Sequence, residues 1–303
     1  DKQLMQRKLY VQGIPDGLEI EYYPNGQKKL EVSYKKGLIE GNRHVWFENG
    51  SLQIQQHFTK GKAEGNHTEY FAGSESDNSH LILNKFNYKD GKYHLEQRSY
   101  HPNGKVQAII NYLHGTLHGR KALWNPQGKL IEEAFYDNGL LSGRFFQVYP
   151  DKKEVVFHYK NNQKHGLHQI FYPQHEAMGK VKAFEALYQD GLLEKESSKY
   201  NEAGIKTASV LYKKGLEHGV ASFYNSTGKL VSSIDPELPQ LENKIAGSKF
   251  SRKLKNIGKA VVKEIKAKEG DSEDAAEIKS HIDPKENEFT KIVDEIEQKF
   301  DDK

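Results

Sequence analysis

Short runs of alternating apolar and polar residues, broken by glycine-bearing turns, cover most of this chain. The stretch Gly17 to Gly41, GLEIEYYPNGQKKLEVSYKKGLIEG, shows the unit. Leu18, Ile20 and Tyr22 alternate with acidic residues, and after Pro24-Asn25-Gly26 the residues Leu30, Val32 and Tyr34 alternate with polar ones. Period-two alternation flanking Asn-Gly predicts a β-hairpin. Simple alternation places Leu18, Ile20 and Tyr22 on the same face as Leu30, Val32 and Tyr34. A second turn, Lys36-Gly37, leads into the next hairpin.

The unit returns about every 24 residues. Its opening positions are Gly17, Gly41, Gly65, Leu95, Gly119, Gly143, Gly166, Lys195 and Gly219, separated by 24, 24, 30, 24, 24, 23, 29 and 24 residues. First-strand aromatics fall at Tyr22, Trp46, Tyr70, Tyr100, Trp124, Phe171, Tyr200 and Tyr224, with Val148 as the exception. Second-strand aromatics fall at Tyr34, Phe58, Tyr88, Tyr112, Tyr136, Tyr159, Tyr188 and Tyr212. Tyr10 and Gly13 fit the same frame one unit earlier, so the chain enters in mid-repeat. A period of this length predicts stacked supersecondary units, each buried against its neighbours. The expected fold is mainly β: an elongated antiparallel β-hairpin repeat solenoid over residues 1–235.

Two units are longer than the rest. Extra residues fall at Ala72 to His80 and around Gln174 to Gly179, both at the first turn, and the unit after each lacks its opening glycine, at Leu95 and Lys195. Loops on repeat scaffolds either bind partners or are tolerated insertions, and both readings stand. Candidate partner contacts are Glu75, Asp77, His80, His175 and Glu176 on these loops, with Tyr23, Phe47 and Phe71 on exposed first-strand ends. The second face reads polar early, at Glu19, Glu21, Glu31, Arg43, Gln55, His67, Glu69, Lys85 and Gln97. It reads apolar late, at Leu123, Phe135, Phe145, Val156, Ile170, Leu187, Leu211 and Phe223. An apolar patch of that kind calls for a cover. The expectation is the C-terminal tail, with a partner protein as the rival.

The pattern breaks at Asp235-Pro236, and residues 236–303 change to helical spacing. Phe250, Leu254, Ile257, Val261 and Ile265 share one helical stripe, and Asp283-Pro284 with Glu286 opens another through Phe289, Ile292, Val293, Ile296 and Phe300. Lys244 to Lys268 holds nine Lys or Arg and one acid, Glu264. Such a helix can dock on an anionic membrane, cover an acidic protein surface, or pack its apolar side on the sheet with its lysines solvated.

Composition narrows the chemistry. Hydrophobic residues are 36% and aromatics 11%, which fits a thin stack sealed by rings better than a wide core. The absence of Cys removes disulfides, thiolate catalysis and Cys-ligated metal. No apolar run reaches the length of a spanning helix. A net charge of +3 does not argue for nucleic acid. No phosphate loop, nucleophile elbow, HExxH or EF-hand pattern occurs, so no catalytic or cofactor residues are assigned. His118, His165 and His218 take the slot before an opener that Glu40, Glu64 and Glu194 take elsewhere, which reads as a polar turn position. His114 and His118 flank one turn and are the best metal candidates, although no metal site is assigned.

The YYPNG…Y.KG..EG pattern at Tyr22 to Gly41 has echoes in SYHPNGK (Ser99 to Lys105) and LYKKGLEHG (Leu211 to Gly219). Over roughly residues 8–230 the chain resembles the MORN-repeat variant of bacterial antitoxin and effector immunity proteins. The openers Leu95 and Lys195 depart from that pattern. The resemblance implies a non-enzymatic protein that occludes a cognate toxin or secreted effector. The chain starts at Asp1, not Met. If an export signal was removed, the resemblance implies a periplasmic site, with membrane association through Lys244–Lys268 as a further option and the cytoplasm as the alternative.

Overall fold

A computed structural model describes residues 5–72, 81–174 and 179–235. The chain separates into two units, Asp1–Pro236 and Glu237–Lys303, and all the described residues lie in the first. The expected tail helices, and the expectation that they cover the late repeats, lie outside the described residues.

The described residues form one open sheet of 23 antiparallel strands, with no helix among them. Successive strands pair in chain order, some interrupted beside the opener into a two-residue and a longer piece that both pair with the preceding strand, so the repeat is a meander, as expected. Gln6–Val11 is a second-type strand paired to Ile14–Tyr22, which agrees with entry in mid-repeat.

The assignment of faces is different from the one simple alternation gives. Within the first hairpin Tyr22 lies opposite Lys28, but Glu21 lies opposite Leu30, Glu19 opposite Val32 and Ile20 opposite Glu31. Lys29 is therefore an extra residue, a β-bulge, and one extra residue exchanges the faces of the whole second strand. Leu30, Val32 and Tyr34 share a face with Glu19 and Glu21, not with Leu18, Ile20 and Tyr22. The same irregularity recurs at Val45/Trp46, Glu69/Tyr70, Ser99/Tyr100, Leu123/Trp124, Ile170/Phe171, Lys199/Tyr200 and Phe223/Tyr224. The 23-residue unit lacks it: Val148 pairs Glu154 and Gln147 pairs Val155 without a break. That unit is one residue short because it has no bulge residue. Second-strand and first-strand aromatics consequently leave from opposite faces, termed here the tyrosine face and the opposite face.

The two turns differ in kind. In the first, Gly26 N–H donates to Tyr23 O (2.9 Å) and Gly26 alone has positive φ, at 86°. In the second, Lys36 (φ 50°) and Gly37 (φ 80°) are both left-handed, which is the type I′ geometry that twists with the strands. This second turn is tied to the preceding repeat twice. Gly37 N–H donates to Pro15 O (2.8 Å), and Lys36 N–H donates to the Asp16 carboxylate (3.1 Å). The side-chain bond recurs from Lys60 to Glu40 (2.6 Å), Asp90 to Glu64 (2.9 Å), Asn138 to His118 Nδ1 (3.5 Å), Asp190 to His165 Nδ1 (3.4 Å) and Lys214 to Glu194 (2.9 Å). Where Asp, Glu or His fills the slot before an opener, it latches the next repeat's turn, because each presents an acceptor at the right reach; at Ser142 the Asn162 side-chain carbonyl oxygen instead accepts from Leu141 N–H (2.6 Å).

Openers sit at the bulge between repeats with positive φ, 88° at Gly41 and 88° at Gly119. Leu95 and Lys195 keep that conformation, at 61° and 63°, and carry the strain a side chain brings there. Replacing Leu95, which is 60% exposed, by Gly relieves it with little loss of burial. Leu95→Gly is expected to gain about 0.5–1 kcal/mol in urea unfolding, and an unchanged or lowered midpoint would contradict the strain account. Glu40→Ala leaves the Lys60 N–H unlatched and is expected to lose about 1 kcal/mol by the same measurement.

Candidate partner-binding surface

The two faces use their aromatic residues differently. On the tyrosine face the rings touch one another. Phe58, His67, Tyr88, Tyr93 and Tyr112 form one run, with centroids 5.3, 4.5, 4.9 and 5.3 Å apart in turn. Phe145, Phe157, His168 and Tyr188 form another, at 6.4, 4.6 and 4.4 Å. Contacts in this range are cohesive. Val32, Val155, Ala134 and Ala186 are buried on the same face, so its apolar groups are consumed in holding the sheet together.

On the opposite face the first-strand aromatics are separated by two strands, about 9–10 Å. They are half-buried. Cations lie over several of them. Lys28 Nζ is 5.6 Å from the Trp46 centroid, Arg120 Cζ 5.3 Å from Trp124, Lys180 Nζ 5.7 Å from Phe171 and Lys182 Nζ 5.2 Å from Tyr200. These same cations reach carboxylates. Lys28 meets Glu31 at 2.6 Å, Lys180 meets Glu154 at 2.6 Å and Lys182 meets Glu185 at 3.0 Å. Arg120 reaches one Glu133 oxygen at 2.8 Å, and Arg144 pairs with the other. Burial works to raise the Glu185 carboxyl, but bonds from Gln169 and Lys182 outweigh it and hold it below the ordinary range. The Lys206 ammonium does the same to Glu196, aided by Ser198.

The result is a row of half-buried rings, four of which, Trp46, Trp124, Phe171 and Tyr200, lie beside a cation that is already paired with an acid. Such a surface offers stacking area and charge to a partner along its whole length. Alternation alone had counted these rings with the core. The signal that separates them is unit length: the 23-residue unit closes with the same first turn and keeps its register, so the residue the 24-residue units add is the bulge.

Of the candidate contacts, Tyr23, Phe47 and Phe71 are half-buried rather than exposed. The Tyr23 hydroxyl donates to Trp46 O of the next repeat (2.9 Å), and the Tyr172 hydroxyl does so to Tyr200 O (2.7 Å). That column bridges repeats, which corrects the expectation of free strand ends. Phe71 N–H donates to Leu81 O (2.9 Å), and Tyr172 N–H donates to Val181 O (3.0 Å), so both insertions spring from the first-turn edge. Glu75, Asp77, His80, His175 and Glu176 lie outside the described residues.

His114 and His118 do not converge. His114 stacks on His94 with centroids 4.7 Å apart, and its backbone N–H points to His94 Nδ1 (3.5 Å). His118 latches Asn138 and lies 3.4 Å from Asp137. Among the described residues no three His, Cys, Asp or Glu side chains group to hold a metal ion, and no helix is long and apolar enough to cross a membrane.

No curated protein matches the chain. The family model described as MORN repeat variant matches it at residues 15–36 and 93–114. Both matches begin two residues before an opener, Gly17 and Leu95, and end on the first residue of the type I′ turn, so the family's repeat and the repeat of this sheet are in one register.

Proposed function

We propose that this chain is a non-enzymatic protein-binding scaffold, and that it acts as an immunity or antitoxin protein covering the active surface of a bacterial toxin or secreted effector. The observation that carries the reading is the row of half-exposed, cation-flanked aromatics at Trp46, Trp124, Phe171 and Tyr200. A ladder-bonded sheet holds this row in place before any partner arrives, which lowers the ordering cost of binding. Large aromatic side chains are the residue type that dominates binding energy at protein interfaces. The toxin assignment itself rests on the resemblance of the repeat, and its action is steric.

The second reading is a scaffold docked on anionic lipid through Lys244–Lys268, favoured by the nine basic residues against one acid there.

The test is capture from the native organism by the tagged chain, beside a chain ending at residue 235 and a Trp46→Ala/Trp124→Ala/Tyr200→Ala variant. One stoichiometric protein is expected, inhibited on binding, retained by the shortened chain and weakened at least tenfold by the triple variant at unchanged melting temperature. Recovery of lipid alone, and only with residues 236–303 present, sinks the immunity reading in favour of the membrane scaffold.

A further inference from the structure

The repeats themselves repeat. His57, Gly65, His67 and Tyr70 recur 101 residues later as His158, Gly166, His168 and Phe171. Tyr88, Asp90-Gly91 and the opener Leu95 recur after 100 as Tyr188, Asp190-Gly191 and Lys195. Geometry follows the same match. Leu95 and Lys195 have φ 61° and 63°, and Asp90 and Asp190 have φ 53° and 51°. Each long unit is therefore the third of a block of four, present twice.

At the matched point of each block stands a buried histidine, His67 and His168, each 2% exposed. His67 Nε2 lies 2.7 Å from His57 O and His168 Nε2 lies 2.9 Å from His158 O. Each of these carbonyls also accepts a backbone N–H across the inter-repeat bulge, from Glu64 to His57 O (2.9 Å) and from His165 to His158 O (2.8 Å), so the imidazole takes the second lone pair. In the unit after the first long one Gln97 holds the same column, and its amide donates to Asn87 O at 3.1 Å. At His67, Gln97 and His168 a neutral side-chain donor reaches this carbonyl, and of these two residue types the imidazole is the one that can also charge.

We propose that the matched buried imidazole is an acid-sensitive joint, present twice and four repeats apart, at which mild acid loosens the sheet before the rest of it yields.

The surroundings support this at both positions. His168 is packed by Phe157 and Tyr159 from Glu154–Lys160 and by Tyr188 from Lys182–Gln189. The charged group nearest it is cationic, Lys164, with the His158 side chain beside it. His67 is packed by Phe58 from Leu52–Thr59 and by Tyr88 from Ile82–Lys89. His57 on the neighbouring strand and Glu69 on its own strand face it with opposite effects. Burial pushes the His168 imidazole down to about 4, with Lys164 and His158 adding to the fall. Burial also lowers His67, against the His57 and Glu64 backbone groups and Glu69, which raise it. A histidine held below its unfolded value near 6.5 contributes stability that is complete above that pH. The contribution drains away as pH falls toward the folded value. Each such histidine lowers the folded-to-unfolded ratio by up to about tenfold per pH unit within that window. His168 is the more sensitive, because the side chains acting on it, Lys164 and His158, lower it further, whereas Glu69 raises His67.

Hydrogen exchange at pH 7.0 and 5.5, corrected for intrinsic rates, tests the joint. Faster opening is expected at the lower pH in peptides spanning 54–70, 155–171 and 184–188, with peptides spanning 119–137 changed less. A His67→Gln/His168→Gln variant, which copies Gln97, is expected to lose that difference, and His114→Gln to retain it. Uniform acceleration along the sheet, or an unchanged response in the double variant, overturns the proposal. If the double variant does not fold, the imidazole resonances of the unaltered chain decide: a native His168 that protonates above pH 6 overturns it, and one that stays neutral to pH 5 upholds it.

Discussion

A sheet one layer thick has no second layer to satisfy its turns, so each repeat has to complete the turn of the next. The latch from the slot before each opener to the following type I′ turn does this. It spans twenty residues in the sequence, from Asp16 to Lys36 and from Glu40 to Lys60, and lengthens to 26 from Glu64 to Asp90, where the insertion intervenes. The glycine N–H beside it makes a second bond to the same neighbour. These bonds are local in space and recur at every step. Stability in such an array is a sum of repeat and nearest-neighbour terms. The energy of any one rung is modest, and the order of the whole depends on how few rungs are left open.

The period and the hairpins were legible because aromatics and glycines mark them at fixed spacing, and Asn25-Gly26 and Lys36-Gly37 have the chemistry of their turns. The polar slot was legible as a class, since His118 and Glu40 alternate in it, although what it binds was not. The faces were misread. Alternation is counted along a strand, and a single bulge residue such as Lys29 reverses it without altering the hydrophobic pattern on either side. The 23-residue unit held the clue. A unit that dispenses with one residue and keeps its pairing intact shows which residue in the others is extra. Tyr23 was misread for a related reason: a tyrosine at a strand end looks exposed until the next repeat supplies Trp46 O to its hydroxyl.

Correcting the faces changes where recognition is sought. With both aromatic columns on one side, the other side would be a mere charged surface. With the columns divided, the tyrosine face holds the sheet together through ring contacts at His67 and His168, and the opposite face displays half-buried rings with cations over several of them. The sheet needs only one of the two columns for cohesion.

The charges beside those displayed rings bear on what can bind there. Arg120, Arg144 and Glu133 form one shared cluster, and Lys182 and Glu185 a pair, all at least partly solvated. Pairs of this kind contribute about 0–1 kcal/mol, so an incoming partner can break and replace them at little cost. The cations over Trp46 and Trp124 likewise hold by about 0.5–1 kcal/mol and can swing aside. In the proposed complex, charge on this face would orient a partner and set its register along the repeat, since cation and acid recur with the strands. Affinity would come from the rings, which the ladder holds in place two strands apart.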